Sequence, residues 1–249
     1  IEGNIEHIFV NKNGYVSVII TGTTHNNVII TYNLEGTELF RTFLSQTTAI
    51  DVEISNDNKY LAYGEVDVTG SFIQSNVKII SIEKAQTDPS NAIEYIYPSE
   101  SQELIIELKY QDNNKLICMY DDSIHTIENK EDKKILDISS TKNTFADVNL
   151  KDNIVCVTEK STGLFANIDV EITNTSSGKT NIYNIEGVAS ALEAFGNVIA
   201  INLGTEVDFI NTNGWLIKRY NSSTEINNII LGENIAGIVY ADKIEILNL

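Results

Sequence analysis

Apolar residues fall in short runs of Val, Ile, Tyr, Phe and Thr, and clusters of Asn, Asp, Gly and Ser separate them. Helical spacing of apolar positions is hard to find. This is the pattern of many short strands joined by tight turns. One phrase recurs, a polar turn followed by an apolar strand: "VNKNGYVSVII", "ISNDNKYLAYGEV", "YQDNNKLICMY" and "NLKDNIVCVTE". Asn13-Gly14 and Asn213-Gly214 read as hairpin turns, because both residues tolerate positive φ.

Aligned on the strand after the turn, one column contains Ser17, Ala62, Cys118, Cys156, Ala200 and Gly237, all small. The column before it is apolar: Val16, Leu61, Ile117, Val155, Ile199 and Ala236. Successive small residues lie 45, 56, 38, 44 and 37 residues apart. A period near 40–50 with about four strands per unit predicts an all-β propeller of six blade repeats. Blades pack face to face and their inner strands crowd together, which excludes bulk from that column. In the second unit the strands read "AIDVEIS", "KYLAYGE", "NVKIISI" and "IEYIY" for a, b, c and d. The last unit supplies only a, b and c, so its blade is incomplete. A closing d strand from the N-terminus would need more than the four residues Ile1 to Asn4. The expectation is a single propeller domain over residues 1–249 whose upstream anchor or blades lie before Ile1.

The stretch "ISNDNKYLAYG" resembles the Ser-Pro-Asp-Gly turn and strand of WD40-like, TolB-like and quinoprotein-like propellers, with Asn56 and Asn58 at the usual Pro and Gly positions. "SNDNKYLAYGEVDVTGSFIQSNVKIISIEK" and "NIAGIVYADKIEILNL" resemble an uncharacterised clostridial-type, Gram-positive family of unknown function. That resemblance implies a propeller displayed outside the cell behind an N-terminal membrane helix. It transfers no catalytic residue. The Trp-Asp dipeptide of WD40 repeats is absent, since Leu216 follows Trp215.

Composition narrows the partners. Seventeen Lys and Arg against 35 Asp and Glu give a net charge of −18. Nucleic acid and anionic membrane surfaces are therefore disfavoured, and cations or basic surfaces are favoured. Cys118 and Cys156 sit inside apolar runs and read as buried thiols rather than a disulfide or metal pair. No Gly-x-Ser-x-Gly elbow, zinc-spaced His pair, calcium loop or phosphate-binding Gly loop is present. Ser-x-x-Lys occurs three times, at Ser81, Ser139 and Ser176, without the companion motifs of a serine enzyme. No catalytic or cofactor-binding residue is assigned.

Two patterns carry candidate sites. Strands a open with Glu6, Asp51, Glu107, Asp147 and Glu193, followed by Asn227 in the last unit. One acid per blade at the channel mouth would form a carboxylate ring for Ca²⁺ or for a partner's Lys or Arg. The alternative is that each carboxylate caps backbone amides. The b–c loops Glu65–Asn76 and Glu159–Asn167 carry Phe72 and Ile73, and Leu164 and Phe165, as apolar tips on the same face. The leading reading is a non-catalytic, extracytoplasmic binding or scaffold module whose partner is a protein or an envelope polymer. The alternative is a carbohydrate-active or other hydrolase or lyase using Asp51, Glu107 or Asp147 as acid or base, with two carboxylates about 5–10 Å apart.

Overall fold

The structure, a computed structural model, describes residues 3–22, 24–70, 73–99, 102–138, 143–162 and 165–249; of 143, 144, 161, 162 and 165 it describes the backbone alone. Two compact units divide the chain, Ile1–Asp137 and Ile138–Leu249.

The first unit holds three four-stranded antiparallel sheets, each a run of consecutive strands. They are β1 (Asn4–Val10) to β4 (Glu38–Leu44), with β2 at Val16–Thr21 and β3 at Asn27–Tyr32; β5 (Thr47–Ile54), β6 (Tyr60–Asp67), β7 (Gln74–Ser81) and β8 (Ile93–Pro98); and β9 (Ile105–Tyr110), β10 (Lys115–Tyr120), β11 (Ser123–Glu128) and β12 (Glu131–Asp137). The second unit repeats the arrangement with β13 (Asn143–Asp147), β14 (Asn153–Thr162), β15 (Phe165–Asn174) and β16 (Thr180–Glu186), then β17 (Ala191–Phe195), β18 (Val198–Asn202), β19 (Glu206–Asn211) and β20 (Leu216–Asn221). Its last sheet has three strands, β21 (Asn228–Gly232), β22 (Ile235–Val239) and β23 (Ile244–Asn248). These are the six blades expected from the repeat, and the sixth lacks strand d.

Burial follows strand position. Strand b of the third blade, β10, is buried at all six residues, whereas its strand d, β12, is mostly exposed. Inner strands covered on both faces need continuous apolar runs, and outer strands need only alternation. Apolar layers fill the space between neighbouring blades within each unit: Val52, Leu61 and Ile29 join blades one and two, and Val155, Val170 and Ile199 join blades four and five. Every member of the small column is buried, including both free cysteines. Burial pushes the Cys118 thiol well above its ordinary range and the Cys156 thiol up to about 12.

Three local expectations change. In the Asn-Gly turns only Gly14 and Gly214 take positive φ, both +77°. The preceding Asn keeps ordinary dihedrals because another asparagine shapes the turn: Asn11 Oδ1 accepts from Asn13 N and Tyr15 N, and Asn211 Oδ1 accepts from Asn213 N and Trp215 N. Such a turn needs a single left-handed residue. In "SNDN" that residue is Asn58, at φ 60°.

Strand pairing runs well into both b–c segments and shortens the loops expected there. Pairing between β6 and β7 continues to Asp67↔Gln74, and between β14 and β15 to Thr162↔Phe165. The extended flanks pair with each other and so satisfy backbone groups that a free loop would leave to water. A short helix, α1 (Ile82–Thr87), interrupts the c–d connection of the second blade. Ser81 is its N-cap and accepts from Lys84 N at 3.3 Å, so this Ser-x-x-Lys motif marks a helix start. Ser176 lies in the β15–β16 turn, its amide bonded to Asn174 Oδ1. Ser139 lies outside the described residues.

Candidate functional site

Asp51 and Asp147 answer a requirement of the fold. Strand a is the inner edge of each blade, and its outward amides have no strand to pair with. Asp51 Oδ2 accepts from Leu108 N of the next blade's strand a at 2.6 Å, and Oδ1 accepts from Val52 N at 2.8 Å. Asp147 Oδ2 accepts from Ala194 N at 2.9 Å, and Oδ1 from Asn149 N at 2.7 Å. Each aspartate therefore ties its blade to the following one through a backbone amide. Both of its oxygens are engaged, an arrangement suited to capping rather than to a free acid, base or cation ligand. Burial pushes the Asp51 carboxyl up to about 6, against the two amides that favour its ionised form.

The other acids sit in different settings. Glu6 is exposed and accepts from Thr21 Oγ1 at 2.7 Å. Glu107 and Glu193 are half-buried. Burial, and then the nearby Asp147 charge, push Glu193 up to about 7. The acids are not at one level of their blades. Asp51 pairs with Gly64, two residues beyond the small column, Glu107 with Met119, one beyond, and Asp147 with Val155, one before it. The a–b hairpins differ in length, so the small column faces Phe9, Glu53, Leu108, Ala146 and Glu193 in successive blades and the acids fall at different levels, which spacing along the chain does not reveal. Among the described residues no group of three or more His, Cys, Asp or Glu is gathered as a metal site. Of the apolar tips, Ile73 is 41% exposed. Phe72 and Leu164 lie outside the described residues, and Phe165 opens β15.

A groove that the acid and loop patterns do not mark lies in the first unit, between the second and third blades. Tyr60, Tyr95, Tyr97 and Tyr110 line a cavity of about 300 Å³ together with Ile79 and Lys130. Tyr95 and Tyr97 alternate on strand d of the second blade, so both rings leave the same face, 6.3 Å apart. The second blade adds Tyr60 and Ile79, and the third supplies Tyr110 from strand a and Asn114 and Lys130 from its a–b and c–d turns, the end opposite the b–c loops. Asp112 Oδ1 accepts from Asn114 N and Lys115 N and sets the first turn. Asn129 and Lys130, at φ 52° and 68°, form the second, a two-residue hairpin of the kind with both residues left-handed. Lys130 Nζ stands over the Tyr95 ring, 5.2 Å from its centroid. Signals for this groove were present as Tyr-x-Tyr in "IEYIYP" and the Asn-rich turns beside it. Only folding brings them together. A wider cleft of about 550 Å³ between the first two blades is lined by Arg41, Glu65 and Lys78 among others. Its charges answer one another: Lys78 binds Glu65 at 2.5 Å and Arg41 binds Glu38 at 2.6 Å.

Comparison with known proteins shows the fold. A family model described as a family of unknown function, DUF5711, matches residues 1–249. No curated protein matches. Among solved structures, Hsv2p of Kluyveromyces lactis is similar, with a TM-score of 0.66 at 13% identity over 99% of this chain and 75% of that one. The C-terminal WD40 domain of Sif2 gives 0.57 at 10% identity, over 98% and 81%. A chain of the Mitotic Checkpoint Complex gives 0.59 at 15% identity, over 97% and 72%. The blades are those of a WD40-like β-propeller.

Proposed function

We propose that this chain, which belongs to the DUF5711 family of unknown function, is a non-catalytic propeller module that binds a protein partner through the tyrosine groove between its second and third blades. The carrying observation is the groove itself: four tyrosines around about 300 Å³, the small end of the size range of ligand pockets. Tyrosine gives large contact area at low conformational cost and is enriched where proteins meet. The binding reading is further supported by the engagement of Asp51 and Asp147 with backbone amides. A similar propeller chain occurs in the Mitotic Checkpoint Complex, an assembly of proteins. The resemblance to an envelope-displayed family supports a place outside the cell, where protease treatment of intact cells would digest the module.

Selection of displayed peptides on the full chain tests the groove. Wild type is expected to enrich a peptide class that Tyr95→Ala/Tyr97→Ala fails to retain, with the variant's circular dichroism and melting unchanged. Equal enrichment on both proteins would remove the groove from the function.

A further inference from the structure

We propose that the groove receives a lysine or arginine side chain from a basic segment of the partner, an inference that rests on the groove being the contact site. The groove already holds a cation of this chemistry. Lys130 Nζ lies 5.2 Å from the Tyr95 centroid, within the roughly 6 Å over which a ring face attracts an ammonium. Lys130 leaves the backbone from the second, left-handed position of its two-residue turn, φ 68°.

Three carboxylates lie in or near the groove. Glu128 lines the groove. Glu94, next to Tyr95, is bound by Lys84 at 2.6 Å. Asp132 Oδ1 lies 2.9 Å from His125 Nδ1. Its charge reaches the groove: burial, then Tyr95, then Asp132 raise the Tyr97 hydroxyl above its ordinary pKa. Lys130, the already paired Lys84 and Lys115, which lies opposite Glu128 across the β10–β11 pair, are the opposing cations. A chain of net charge −18 also draws basic segments in and turns acidic ones away. Lys130 then acts as an internal stand-in that an incoming side chain displaces.

The probe is a heptapeptide carrying two lysines, titrated by NMR at about 0.15 M salt to shorten the reach of the net charge. Matched peptides carry Gln or Glu at the same two places. The Lys peptide is expected to bind wild type about tenfold more tightly than the Gln peptide and to lose about tenfold on Tyr95→Leu/Tyr97→Leu, a change that leaves the charge intact. Lys130→Gln should bind it severalfold more tightly than Lys133→Gln, which makes the same charge change at an exposed site on β12. Undiminished binding to the tyrosine variant would assign the attraction to net charge and overturn the proposal. Preference for the Gln or Glu peptide, or weaker binding to Lys130→Gln, would overturn it too. Selected peptides that need Tyr95 and Tyr97 yet carry no basic residue would leave the contact site standing and remove this inference. Peptides indifferent to those tyrosines would remove both.

Discussion

Single side chains in this fold are set by what their backbone neighbours lack. Asp51 and Asp147 serve amides that no strand can reach, whereas Glu193 has only a shift to show for its half-buried place beside Asp147. Its carboxyl is raised to about 7 from 4.5. A raised acid keeps its proton longer folded than unfolded. Stability from Glu193 is therefore fullest below pH 4.5, declines as pH rises through 7, and stays low above. Glu193→Gln should flatten that decline. At pH 8 the variant should be the more stable, by less than about 1 kcal/mol because solvent screens a half-exposed group. Urea midpoints of both proteins at pH 4.5 and 8 measure the difference. The two thiols illustrate the opposite case, in which bulk exclusion alone fixes the residue: cysteine serves as a small apolar side chain.

Elements meet through backbone approaches as close as those between side chains. Gly64 on β6 faces Ile105 at the start of β9, and a Cβ there would stand 2.9 Å from Ile105 Cγ1 and 3.1 Å from Cγ2. Gly64→Ala should cost about 1–3 kcal/mol through overpacking between the second and third blades. Ile105→Ala alone should cost about 2–5 kcal/mol through the cavity it leaves. The double variant should cost less than the two together, because each change relieves the other. Denaturant midpoints of the four proteins give the coupling, and simple additivity would show that the blades shift to absorb the methyl. The strands also show why loop lengths read from composition mislead. Glu65–Asp67 and Gln74–Asn76 are polar enough to read as loop, yet each residue there stands opposite a partner across the hairpin.

At the scale of the whole molecule, a charge of −18 repels itself in the folded state. Raising NaCl from about 10 mM to about 300 mM should raise the melting temperature by a few degrees, since the screening length falls severalfold over that range. A falling melting temperature would show that ion pairs such as Lys109–Glu53 outweigh the repulsion. The chain alone determined the repeat, the six blades, the buried small column with Cys118 and Cys156, and the turn position, usually glycine's, filled by Asn58. Each follows from local chemistry: strand periodicity, turn geometry, or the exclusion of bulk recurring at every blade. Only tertiary structure decided that strand pairing sets the acids at different levels, that Asp51 and Asp147 bond the next blade's amides, and that Tyr60, Tyr95, Tyr97 and Tyr110 share one groove. Those outcomes depend on register and on side chains from separate blades, and neither is written in the spacing of residues along one strand.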